Sequence, residues 1–155
     1  MHTALALPAR TTAGPMPRRR SPMPRPLCAS WTIPGSRSVA DALADRRAER
    51  ERMLGLAREY VRRLSSAVRV RAAWVVGSVA RGDFNVWSDV DVLIVADDLP
   101  PRPLDRMEIL LSVAPPGVQP VGLTRSELER ERRRGNPLVV EADERGIQLS
   151  AQDAE

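Results

Sequence analysis

The sequence is poor in several of the residues that carry chemistry. It has one cysteine, Cys28, and one histidine, His2, at its start. A single cysteine rules out an internal disulfide framework and fits a reducing, cytoplasmic setting. One Cys and one His also leave too few ligands for a zinc site. Aromatic residues make up only 3% of the 155, so any core must be Val, Leu, Ile and Ala. No apolar run approaches the roughly 20 residues of a membrane span. Lysine is absent altogether, and all 24 Lys+Arg positions are arginine. A GC-rich genome would produce that bias without any functional cause.

The basicity is unevenly placed. Residues 1–40 hold six of the 24 arginines and no acid, while residues 41–155 hold the other 18 against all 20 acids. The stretch able to fold is therefore mildly acidic, which argues against a nucleic-acid partner despite a pI near 10.7. Residues 1–37 read as a Pro/Arg-rich tail. Seven prolines before residue 35 forbid a helix and supply no strand ladder, so disorder is expected there. An extension or misassigned start, a basic arm and a targeting peptide are the readings open to it. Arg18-Arg19-Arg20 lacks the apolar stretch that follows in a secretory signal.

From Ser38 onward the chain reads as one domain, residues 38–150. Ser38 and Asp41 suggest a capping box, and apolar residues recur at helical spacing to about Ser66. The block from Arg46 to Arg52 reads as a solvated mixed-charge face. Gly55 predicts a weak point, a break or a close contact. Strands are expected at 68–76 and 90–95, followed by a loop through Pro103 and a helix at 104–113. A third strand is expected at 118–123, at an edge because of Pro120. A capping box at Thr124 and Glu127 opens a polar helix to about Arg134. A short helix at 138–143 and a last strand at 146–149 complete the order. The pattern implies a small α/β (α+β) domain with a short mixed sheet and flanking helices.

The chemistry sits between Val70 and Val95. The first strand ends at Gly77-Ser78, and the second opens on Ser88-Asp89-Val90-Asp91. Between them the sequence predicts a tight glycine turn and a polar excursion that Gly82 keeps open. Side chains alternate across a strand, so Asp89 and Asp91 leave one face while Val90 and Val92 enter the core. Two carboxylates so close repel each other unless a cation lies between them. Magnesium suits such a pair, because it binds one or two carboxylates together with substrate phosphates. Gly77 lets a backbone approach a phosphate, and Ser78 offers an N–H and a hydroxyl. A P-loop fits worse, since Asp83 stands where it needs lysine. A dinucleotide fingerprint needs three glycines before a long helix.

Gly77-Ser78, ten residues, then Asp89-Val90-Asp91 resembles the signature of the DNA-polymerase-β-like nucleotidyltransferases, especially the minimal nucleotidyltransferases of prokaryotes. The similarity extends through Ala80-Arg81-Gly82 and Ser88, within roughly residues 68–149. The resemblance implies transfer of a nucleoside monophosphate from an NTP, ATP being expected, to a hydroxyl on a protein or small molecule. It implies that Gly77 and Ser78 bind the triphosphate and that Asp89 and Asp91 are the catalytic, metal-holding residues. Two magnesium ions, or manganese in their place, would stabilise attacking and leaving oxygens. Arg81 is either a phosphate contact or an exposed structural arginine. A further implication is pairing with a helical HEPN-type protein, as antitoxin or by adding AMP to it.

One position departs from the family pattern. Active members carry a third acid on the next strand, and the residue aligned there is Gln119, a neutral amide. A slow or inactive protein, a shifted alignment, or substitution by another acid such as Glu108 would each account for it.

Overall fold

The computed structural model describes residues 38–149, so the 1–37 tail and the domain's last position lie outside the described residues. The chain forms α1 (Val39–Leu64), β1 (Val70–Val76), α2 (Gly77–Arg81), β2 (Val90–Ala96), α3 (Pro103–Ser112), β3 (Val118–Leu123), α4 (Arg125–Arg133), α5 (Pro137–Arg145) and β4 (Ile147–Leu149). The four strands make one mixed sheet in the order β3-β2-β1-β4. β1 is antiparallel to β2 and β4. β2 and β3 are parallel, joined across the sheet by α3. The architecture is the small α+β domain expected, with helices on both faces.

Strand alternation explains why the sheet has two apolar faces. Val90, Val92, Ile94 and Ala96 of β2 pack with Tyr60, Val61 and Leu64 of α1 and Leu110 of α3. Leu93 and Val95 point the other way, onto Leu128 of α4 and Val139 and Ala142 of α5. β2 is thus covered on both sides, which is why it reads as a continuous apolar run. β3 lies at the edge of the sheet, where Pro120 costs no ladder bond. Both capping boxes are formed, at Ser38–Asp41 and Thr124–Glu127. Among the described residues no helix is long and apolar enough to cross a membrane.

Several expectations need correction. Between β1 and β2 the chain is not a simple turn and polar excursion, because residues 77–81 form the helix α2. Pro103 opens α3 instead of closing the loop before it, since a proline at the first helical position forfeits no hydrogen bond. Gly55 is neither a break nor a contact: α1 runs straight through it, and a Cβ there would meet nothing within 4 Å. The Arg46–Arg52 block is not wholly a solvated face. Arg46 donates to the carbonyls of Gly82 (2.7 Å) and Phe84 (3.0 Å), and its guanidinium lies 4.7 Å from the Phe84 ring centroid. Arg50 donates to those of Val79 (3.0 Å) and Ala80 (2.6 Å).

Candidate active site

The site forms where β1 ends and β2 begins. Their antiparallel register sets Val76 opposite Asp91, so the next residue, Gly77, turns beside the Asp91 carboxylate. Gly77 has φ +70°, and a Cβ at this position would lie 2.3 Å from Asp91 Oδ2. Glycine is thus required twice, by its conformation and by the carboxylate packed against it. Val79 and Ala80 bury α2 against the core, and Gly82, at φ +85°, ends it in the left-handed region. Arg46 and Arg50 occupy the carbonyls that α2 and its exit leave without helical partners, where a cation also favours the helix dipole.

The loop into β2 is locked by its own side chains. Ser88 Oγ accepts from the Asn85 N–H (2.9 Å), and Asn85 Oδ1 accepts from the Trp87 N–H (2.8 Å). The Val90 N–H donates to the Gly117 carbonyl (2.8 Å), tying the start of β2 to the turn before β3. Asp89 stands just before β2 and Asp91 within it, and both lie on one face as the alternation requires.

Asp91 is half-buried, and its carboxylate accepts no hydrogen bond among the described residues. Burial raises its pKa first, with the negative charges of Asp89 and Glu141 adding to the shift and Arg81 opposing it. Arg81 donates to Asp83 (3.2 Å) and to Glu141, linking α2 to α5 beside the aspartates. The structure therefore gives Arg81 a structural role next to the site. The Ser78 hydroxyl has no partner among the described residues, so both its donor and its acceptor capacity remain available.

Gln119 pairs with Asp91 across the parallel β2–β3 ladder. Val118, Pro120 and Gly122 are buried, so Gln119 faces the same way as Asp91. Its Nε2 donates to Asp89 Oδ2 at 2.5 Å. The neighbouring-strand position that faces the aspartates is thus an amide, as the sequence indicates. Glu108 offers no replacement, because it is exposed on α3, against the opposite face of the sheet. Among the described residues, no three Asp, Glu, His or Cys side chains gather as a metal-ligand set. The donor set on hand is two carboxylates and one amide.

Arg46, Arg50 and Glu141 are the supporting residues that sequence reasoning missed. The two arginines had a signal in their i,i+4 spacing on α1. Their partners are carbonyls 29 to 38 residues away, which no local pattern reveals.

A glycine–serine turn packed on a carboxylate, at the ends of the two central strands of a mixed sheet flanked by helices, is the architecture of a nucleotidyltransferase. The family described as nucleotidyltransferase domain matches residues 56–144, more than half of the chain, and the protein belongs to it. The matched span includes Gly77, Ser78, Asp89 and Asp91. Among solved structures, a candidate nucleotidyltransferase from Sulfolobus solfataricus, determined at 1.40 Å, is similar with a TM-score of 0.54 and 24% identity. The match covers 70% of this chain and 88% of that one, and at this identity it bears on the fold. No curated protein matches the chain.

Proposed function

We propose that the domain transfers a nucleoside monophosphate from an NTP, ATP being the expected nucleotide, to a hydroxyl on a protein or small molecule. Magnesium would be held by Asp89 and Asp91. The observation that carries this reading is the Asp91 carboxylate: half-buried, without a donor, and seated against Gly77 on the face it shares with Asp89. Two hard oxygen ligands so placed fit magnesium, which completes its shell from phosphates and water. Bound magnesium, or manganese in its place, would offset the triphosphate charge and draw electron density from the α-phosphate.

The protein's own part is positioning. Gly77, lacking a Cβ, lets the backbone turn closely against Asp91 without displacing its carboxylate, and Ser78 would offer its N–H and its hydroxyl to a terminal phosphate. Arg81 pairs with Asp83 and Glu141 beside the aspartates, and a donor left over from those pairs would serve as a phosphate contact. The acceptor oxygen bonds to the α-phosphorus as the bond to the bridging oxygen breaks, and pyrophosphate leaves. The hydroxyl proton passes to water, because Gln119 is not a base. The lone Cys28 supports a cytoplasmic setting for this activity.

Gln119 also favours a second reading, a weak or inactive nucleotidyltransferase module that acts as antitoxin to a helical HEPN-type partner. Incubation with each α-labelled NTP and magnesium, with and without such a partner, separates the two. Label on an acceptor with wild type, and none with Asp89→Ala/Asp91→Ala, supports the enzyme. Equal behaviour of the two proteins removes the enzymatic reading. A stable unlabelled complex supports the binding module.

A further inference from the structure

Gln119 has a consequence for how many ions the site can hold. Two divalent ions bridging one reaction centre stand about 3.5–4 Å apart and need shared anionic ligands. A triphosphate brings charge for the ion it carries. The ion nearer the acceptor depends on the protein. Here the protein offers two carboxylates, and one is engaged: Gln119 Nε2 donates to Asp89 Oδ2 at 2.5 Å. The amide orientation follows from that contact, since the reverse would set two oxygens against each other at the same distance. The positive end of the amide thus points into the space between Asp89 and β3. Glu141 is held by Arg81, and Glu108 lies against the other face of the sheet. Among the described residues no third acid can fill the gap.

We infer that the site binds a single divalent ion, the one bound with the triphosphate, and that Gln119 is the residue that excludes a second. This rests on the metal–nucleotide reading above. Gln119 is exposed on an edge strand, so Gln119→Glu, of the same shape, replaces the donor with an acceptor without disturbing the core.

The test counts manganese by electron paramagnetic resonance on the full chain, saturated with a non-hydrolysable α,β-methylene ATP. One bound ion per chain is expected for wild type and two for Gln119→Glu, with Gln119→Asp as a second variant should the first not fold. Two ions in wild type overturn the inference while leaving the metal–nucleotide reading intact. One ion in wild type and in the folded acidic variants overturns it as well, because Gln119 would not be what limits the count. Manganese retention that is absent, or unchanged in Asp89→Ala/Asp91→Ala, overturns both the inference and the reading beneath it.

Discussion

The Cα of Gly77 and the carboxylate of Asp91 occupy adjoining space with no room for a methyl group between them. Replacing Gly77 by alanine therefore does two things. It forces a side chain into the left-handed region, and it pushes Asp91 out of place. The expected cost is about 1–3 kcal/mol in urea unfolding, with loss of nucleotide binding on top. Asp91 itself opposes stability in the service of its site. Its folded pKa lies above the ordinary 3.8 because it is buried beside Asp89 and Glu141. The folded chain thus holds this proton more tightly than the unfolded chain does. Stability from this group is fully present below pH 3.8 and falls as pH rises through the folded pKa. Asp91→Asn should flatten that part of the stability profile and raise the unfolding free energy near neutral pH, while abolishing metal binding. Urea denaturation across pH checks both. At this scale the sequence was informative where chemistry is local. Gly77, Ser78, Asp89 and Asp91 are recognisable because strand alternation and one glycine turn suffice to bring them together. The Arg81–Glu141 pair was not, because it spans 60 residues and depends on how α5 docks.

Among the elements, α2 was missed for a physical reason. Five residues are too few to show a helical period, and its buried Val79 and Ala80 read equally well as part of a turn. It owes its place to α1. Arg50→Met keeps the aliphatic stem but removes both bonds to the α2 carbonyls, and should cost about 1–2 kcal/mol by chemical unfolding. Nucleotide affinity should weaken with it, because α2 carries Ser78. α1 offers a change of opposite sign. Gly55 is itself exposed on α1, with open space where a Cβ would stand, so Gly55→Ala should stabilise the chain by about 0.5–1 kcal/mol. A raised unfolding midpoint with unchanged nucleotide binding is the expected result. The capping boxes and helix spans were legible because caps are set by residues three apart. The anchoring of one helix on another is a long-range property and left no such trace.

At the scale of the whole molecule, the described residues build a four-stranded sheet whose central strands, β1 and β2, meet at the site while β3 brings Gln119 to its side. Strand order and the parallel β2–β3 pairing follow from the βαβ crossover through α3. The apolar runs implied the sheet, but the edge place of β3 rested on Pro120 alone. The register of Asp91 with Gln119 could only be supplied by the folded chain, and it turns an aligned position into a neighbouring side chain. Asp89 and Asp91 are proposed to form a metal-dependent nucleotide site. Calorimetric titration of the full chain with ATP, in magnesium and then in EDTA, tests it most directly, with Asp89→Ala/Asp91→Ala alongside. Saturable binding in magnesium, lost in EDTA and in the double variant, is the predicted result. Binding that is indifferent to the metal, or equal in the wild type and the double variant, would contradict it.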